Sequence, residues 1–266
     1  MSPPAAAPPA RGDGPRLFIL TGASRGLGAA IAARLLGASG TTLLGLSRRV
    51  DASLAGVAER SGAQLEQWPA DLADPAPVAE RLEGWLAGFE PKRFAAATLI
   101  NNAASLTRPG PLESSGTAEL SQALRVGLEA PLLLTAAFLR ATAAWPGDRR
   151  VLHISSGLGR RAMAGAATYC ASKAGLDHLA RALALEQQAG SARPARIVAL
   201  APGVIDTDMQ VQLRGADAAG FPEQAMFARL HEGGQLSAAD DDAARVLAYL
   251  ARDDFGETPV ADVRDP

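Results

Sequence analysis

A short β-prone run, Arg16–Thr21, passes directly into Gly22-Ala23-Ser24-Arg25-Gly26-Leu27-Gly28 and then into a helical pattern over Gly26–Leu36. A strand that turns into a helix this abruptly needs backbone that can take positive φ and can be approached closely, which glycine supplies. The rhythm then repeats. Strands are expected at Thr41–Leu46, Gln64–Trp68, Ala96–Asn101, Arg150–Ser155, Arg196–Leu200 and Pro259–Asp262. Helical spacing of apolar residues marks Pro75–Leu86, Thr117–Leu139, Ala167–Gln188 and Ala239–Ala251. Strands alternating with helices make a parallel sheet, and right-handed crossovers wind it both ways from its first strand. The expected fold is therefore a single α/β domain over 16–266, a doubly wound parallel sheet with helices on both faces. Its ligand crevice should open at the carboxyl ends of the strands.

Composition narrows the function. An apolar fraction of 48% over 266 residues suits one well-buried core. A net charge of −2 offers no basic face to nucleic acid or anionic lipid, and the longest apolar runs, such as Ala130 to Leu139, are short for a membrane span. The lone Cys170 forms no intrachain disulfide or ligand cluster, and the three histidines lack metal-binding spacing. A reducing cytoplasm fits, with no metal. Residues 1–15, rich in proline and alanine, have neither the early cation nor the unbroken apolar run of a secretory leader, and read as a disordered tail.

The glycine turn points to a ligand. Gly22, Gly26 and Gly28, with Ser24, Arg25 and Leu27 between them, place backbone N–H groups and the positive end of a helix where a pyrophosphate would lie. An acid at the end of the second strand would hold the 2′-hydroxyl of NAD; this chain has Ser47-Arg48-Arg49 there. Guanidiniums at that position, with Arg25, suit the 2′-phosphate of NADP. Asp71 and Leu72 follow the third strand, where a carboxylate can meet the adenine amino group. Asn102, Ala103 and Ala104 follow the fourth and put small residues beside the cofactor.

Tyr169 and Lys173 stand four apart in a chain with two tyrosines and two lysines. That spacing puts them on one helical face, where a cation favours the ionised phenol and fits it for proton transfer.

These motifs resemble, in order and spacing, those of the short-chain dehydrogenase/reductase family, over nearly the whole chain after the tail. TGASRGLG is similar to its cofactor turn, Asn101-Asn102-Ala103-Ala104 to its NNAG segment, and Tyr169-Cys170-Ala171-Ser172-Lys173 to its YxxxK motif. The resemblance implies a Rossmann fold and hydride transfer between NADP(H) and a carbonyl. It implies Tyr169 as general acid, Lys173 as its partner on the nicotinamide ribose, and Ser156, thirteen residues before the tyrosine, as second donor to the carbonyl oxygen. Ser155 is the neighbouring alternative. Ala201-Pro202-Gly203-Val204-Ile205-Asp206-Thr207 resembles the family's PGxxxT, implying that Pro202, Gly203, Val204 and Thr207 hold the carboxamide. Where the family has a catalytic asparagine, this chain has Gly127.

The PGVIDTDMQ stretch and the chain's end resemble sepiapterin reductases and bacterial benzil reductases, which implies a ketone or vicinal dicarbonyl as small-molecule substrate. Substrate walls are expected over 105–111, 158–163 and 209–227, with Leu158 and Met209 at the site. The resemblance makes Asp262 the nearest candidate for a substrate anchor, with Asp265 next. It also implies a homodimer or homotetramer through the long helices. Two alternatives remain open: a secondary-alcohol dehydrogenase working oxidatively, and an NADP-binding sensor or scaffold with weak turnover because of Gly127.

Overall fold

The computed structural model describes residues 14–265; the expectation for the tail falls mainly on 1–13, outside the described residues. Seven parallel strands form one sheet in the order β3-β2-β1-β4-β5-β6-β7. They are β1 Arg16–Thr21, β2 Thr41–Ser47, β3 Gln64–Pro69, β4 Ala96–Asn101, β5 Asp148–Ile154, β6 Arg196–Ala201 and β7 Val260–Asp262. The order reverses between β1 and β4, so the crevice of the doubly wound sheet lies beyond Thr21 and Asn101.

Helices cover both faces, as the sequence requires. The inner strands are apolar on both sides: β1 and β4 are buried almost throughout, whereas edge strand β3 alternates exposed and half-buried residues until Trp68. On one face α1 (Gly26–Leu36), α2 (Ser53–Ser61) and α9 (Ala239–Ala251) pack over Phe18, Leu20, Ile100, Leu152 and Val198. On the other, α3 (Pro75–Ala87), α4 (Thr117–Leu124), α5 (Ala130–Ala141) and α6 (Ala167–Gly190) form the second layer, with Leu17, Ile19, Leu99 and Val151 beneath. Two short helices, α7 (Asp208–Arg214) and α8 (Gln224–Glu232), stand beyond the carboxyl edge.

Two elements depart from the expectations. Helix α2 is absent from the sequence reading because it is short and buries only Leu54 and Ala58. The helix expected over Thr117–Leu139 is divided: residues Arg125–Glu129 form a π-helical turn between α4 and α5. An 18-residue stretch within Thr117–Ala141 has mean hydropathy 1.3, and by length and composition alone the segment could reach across a bilayer. Its Ala130, Leu134, Ala137 and Phe138 belong to the sheet-facing core instead.

Candidate active site

The phosphate turn is built by close backbone packing. Gly22 and Gly26 have φ of +70° and +54°, and a Cβ on Gly28 would stand 2.0 Å from the carbonyl oxygen of Gly22. The amide of Asn102 donates to Thr21 Oγ1 at 2.9 Å, and its side-chain Nδ2 donates to the carbonyls of Thr21 and Gly22. Asn102 thus ties the end of β4 to the turn instead of pointing at a ligand. No side chain caps α1, so its first-turn N–H groups are available to a phosphate. Thr207 faces Gly26 across the cleft, its Cγ2 3.4 Å from where a Cβ would be, which brings the PGxxxT segment over the turn. Gly203 in that segment has φ +99°.

At the end of β2, Ser47 Oγ donates to the carbonyl of Arg49 at 2.7 Å and folds the Arg48-Arg49 corner, whose two side chains are exposed. Arg25 is held by Asp208 at 2.6 Å, an exposed ion pair joining the phosphate turn to α7. Asp71 is exposed and accepts the amide of Ala73, while Leu72 is core; Ala103 packs against that same core.

Strand β5 and helix α6 bring the proton-handling groups together. Serines 155 and 156 diverge: Ser155 is buried and donates to Asp177 Oδ1, whereas Ser156 leaves the strand to open a 3-10 turn. Burial pushes the Tyr169 phenol up to about 12, opposed by its hydrogen bond to the Ser156 hydroxyl. This corrects the expectation that Lys173 lowers it. The Lys173 Nζ lies 5.5 Å from the centroid of the tyrosine ring and donates to the carbonyl of Ile154 at 2.7 Å. Burial brings Lys173 down to about 8, against the pull of Asp177 upward. Desolvation is the largest cause at both groups, outweighing the Ser156 hydrogen bond at the phenol and the Asp177 carboxylate at the lysine.

Asp177 was not anticipated, yet its signal was present: Tyr169, Lys173 and Asp177 succeed one another at intervals of four along α6. Burial raises its pKa, with the Ser155 hydrogen bond opposing. Gly159 admits it, since a Cβ there would come within 2.7 Å of Asp177 Oδ2. His153 is wholly buried beside Asn101 Nδ2 at 3.2 Å, and burial lowers its pKa to about 3, with Lys173 adding repulsion. Gly127 sits in the π-helical turn with Ser172 3.1 Å from the position of a Cβ, so glycine admits close packing against α6 next to Lys173.

Above these groups lies a separate apolar cluster. Met163, Phe221 and Phe227 are buried in it, with Leu106, Leu158 and Met209 packed against them. The three stretches expected as substrate walls thus converge. Asp262 is placed differently from a free anchor: both of its oxygens accept from Arg264, at 2.7 and 2.6 Å, and Arg160 stands 3.7 Å away. Those hydrogen bonds hold its carboxyl below the usual range. A ligand at Asp262 would have to displace Arg264.

A doubly wound sheet with a glycine turn at its switch point, and a serine, tyrosine and lysine at its carboxyl edge, defines a nucleotide-dependent oxidoreductase. The family model for short chain dehydrogenase matches residues 16–218, and the chain belongs to that family. It is 33% identical over 245 residues to a benzil reductase ((S)-benzoin forming) of Bacillus cereus, covering 92% of this chain and 98% of that one. It is 34% identical to the sepiapterin reductase of Rattus norvegicus, covering 89% and 92%. A solved short-chain dehydrogenase/reductase of Burkholderia vietnamiensis is 37% identical with TM-score 0.63, covering 94% and 97%.

Proposed function

We propose that this protein is a cytoplasmic NADPH-dependent carbonyl reductase acting on ketones or vicinal dicarbonyls of the benzil or sepiapterin type. The observation that carries the reading is a geometry: the Tyr169 phenol hydrogen-bonded to the Ser156 hydroxyl just after β5, with Lys173 Nζ 5.5 Å from its ring and burial favouring the protonated phenol. A protonated phenol is a proton donor, which suits reduction; oxidation of an alcohol would need the phenolate.

The uncapped N-terminus of α1 with Gly22, Gly26 and Gly28 would hold the pyrophosphate, and Arg48 and Arg49 the 2′-phosphate. When bound, the dinucleotide supplies the hydride. As the substrate carbon gains that hydride, its oxygen takes up negative charge. Tyr169 Oη gives that oxygen its proton, and Ser156 Oγ donates a second hydrogen bond to it. The product is the alcohol and the phenolate is left behind. Lys173, at about 8, is the stronger acid of the pair and the proton reserve of the site. The apolar cluster of Met163, Phe221 and Phe227 gives the substrate half a surface suited to aromatic rings. The similarity to benzil and sepiapterin reductases supports the same substrate class. As an oligomer, the protein would pair through the long helices, where Leu124, Leu132 and Leu185 are exposed.

Loss of NADPH absorbance with benzil, sepiapterin, a simple ketone and a β-keto ester tests the reading. Wild type should turn over the dicarbonyls, with Tyr169→Phe slower by about 10²–10⁴-fold. NADPH binding without consumption across the panel would overturn it in favour of a sensor. Equal use of NADH, unchanged in Arg48→Ala, would remove the assignment of the 2′-phosphate.

A further inference from the structure

Tyr169, Lys173, Asp177 and Arg181 follow one another at intervals of four along α6, so phenol, ammonium, carboxylate and guanidinium share one face of that helix. Side chains on a helix lean toward its amino end, which brings each head over the turn that carries its predecessor. The ladder runs from the active site to the surface. Lys173 and Asp177 are 2% and 1% exposed, whereas Arg181 stands in solvent.

Two further elements are shaped around Asp177. Just after β5, the buried Ser155 gives its hydroxyl to Asp177 Oδ1. In the 3-10 turn that follows, Gly159 leaves room for the carboxylate: a Cβ there would stand 2.7 Å from Oδ2 and 2.9 Å from the carbonyl oxygen of Lys173. Burying a carboxylate so fully is costly unless other groups favour its charge. Arg160 faces it from the end of the turn and Arg181 from α6, and with Ser155 they favour the ionised form against burial.

Few charges face Lys173. Its own helix presents Tyr169 and Asp177, and β5 presents His153, which burial keeps neutral above about 3. The neighbouring elements direct their charges elsewhere. Arg125 and Glu129 of the π-helical turn pair with each other at the surface, Glu119 of α4 accepts the amide of Arg108, and Asp262 of β7 is taken by Arg264. The lysine Nζ is held by the carbonyl of Ile154, so adjacent residues, Ile154 and Ser155, fix the ammonium and the carboxylate. With phenol and imidazole neutral, Asp177 is the counter-charge to the ammonium among the described residues. We propose that Asp177, fixed by Ser155, is the positioning residue that keeps Lys173 charged and thereby sets the upper pH limit of carbonyl reduction. That limit rests on the function proposed above, in which Lys173 returns a proton to the phenolate left by each reduction; the charge on Lys173 is a property of the fold alone.

The chain has two lysines, so carbon-13 placed at lysine Cε gives two NMR signals, with the exposed Lys92 as internal control. Asp177→Asn keeps the shape and an acceptor for Ser155 but removes the charge. Four residues of helix rise about 6 Å, so the titration midpoint of Lys173 should fall by about 1 pH unit, with that of Lys92 unmoved. Turnover of a carbonyl that wild type reduces should be nearly unchanged at pH 6 and about eightfold slower at pH 8.5, as a midpoint moved down by that amount from about 8 requires. Ser155→Ala loosens the carboxylate without removing it and should move Lys173 the same way by less; it decides the role of Asp177 if Asp177→Asn does not fold. A Lys173 midpoint that stays in place or rises would overturn the role of Asp177, whatever the turnover. A midpoint that falls without the alkaline limb of turnover following it would overturn the pH limit. A wild type that reduces no carbonyl would sink the proposed function and the pH limit with it, while the lysine titration still settles Asp177.

Discussion

The two ends of strand β5 each bury a cation, and they treat it in opposite ways. At the amino end Arg150 lies against Asp148 at 2.7 Å, with Arg196 sharing the same carboxylate. Toward the carboxyl end Lys173 is equally buried, but its named partner is a neutral carbonyl, that of Ile154. An arginine cannot surrender its proton in a protein, so burying it demands a counter-charge. A lysine can, and without an ion pair its burial brings it to about 8, within reach of working pH. The first end is built to stay charged and hold strands together. The second is built to exchange a proton.

Removing each cation should therefore break different properties. Arg150→Met leaves Asp148 partly uncompensated and should cost about 3–5 kcal/mol of stability in denaturant unfolding, with the folded fraction retaining turnover. Lys173→Met should lower turnover by about 10²–10³-fold with far less effect on unfolding. If both variants lose stability alike and turnover alike, the contrast between the two ends is lost. Lysine adds a pH signature. Its folded pKa of about 8 lies below the ordinary 10.5, so between these values the unfolded chain binds the extra proton. Stability contributed at Lys173 must rise over that window, a rise that Lys173→Met should lack.

His153 sharpens the carboxyl end from the acid side. Its pKa is about 3 against the ordinary 6.5, so the unfolded state takes up a proton first as pH falls. Stability held at pH 7 is lost progressively below 6.5, by about 2–3 kcal/mol at pH 4.5. His153→Gln should flatten that limb in unfolding curves taken between pH 7 and 4.5. An unchanged limb would mean that His153 is protonated in the folded protein.

How much of this contrast could be read from the chain depends on distance along it. The glycine turn and the Tyr169–Lys173 spacing are local, and local geometry follows from φ, ψ and the helical period; both lie where the sequence puts them. Ser155 and Ser156 differ by one residue, and only the pairing of β5 with β6 and the packing of α6 decide which one meets Asp177. The sequence reading pairs lysine with phenol as charges at helical spacing. The balance is set instead by burial, a property of every element packed around them.

Gly127 gives a smaller test. Gly127→Ala gains about 0.5–1 kcal/mol of helix propensity. It also presses a methyl group toward Ser172, 3.1 Å from the Cβ position, beside Lys173. The two effects oppose each other, so stability should change by less than about 1 kcal/mol. Displacement of Ser172 would be read in turnover, which should fall more than stability does. A variant with unchanged turnover would separate the π-helical turn from the lysine.

The smallest effect concerns the exposed ion pair of Arg25 and Asp208. Both side chains are largely in water, so Asp208→Asn should alter unfolding by less than about 0.5 kcal/mol. Cofactor affinity is a different matter, because Arg25 sits on the phosphate turn and has a rival partner in Asp208. Freed from that carboxylate, Arg25 can turn wholly to a phosphate. Asp208→Asn should therefore tighten NADPH binding by a few fold while leaving NADH binding closer to wild type, provided Arg25 reads the 2′-phosphate. Equal tightening for both dinucleotides would assign Arg25 to the pyrophosphate they share. The discrimination between them would then rest on Arg48 and Arg49 alone.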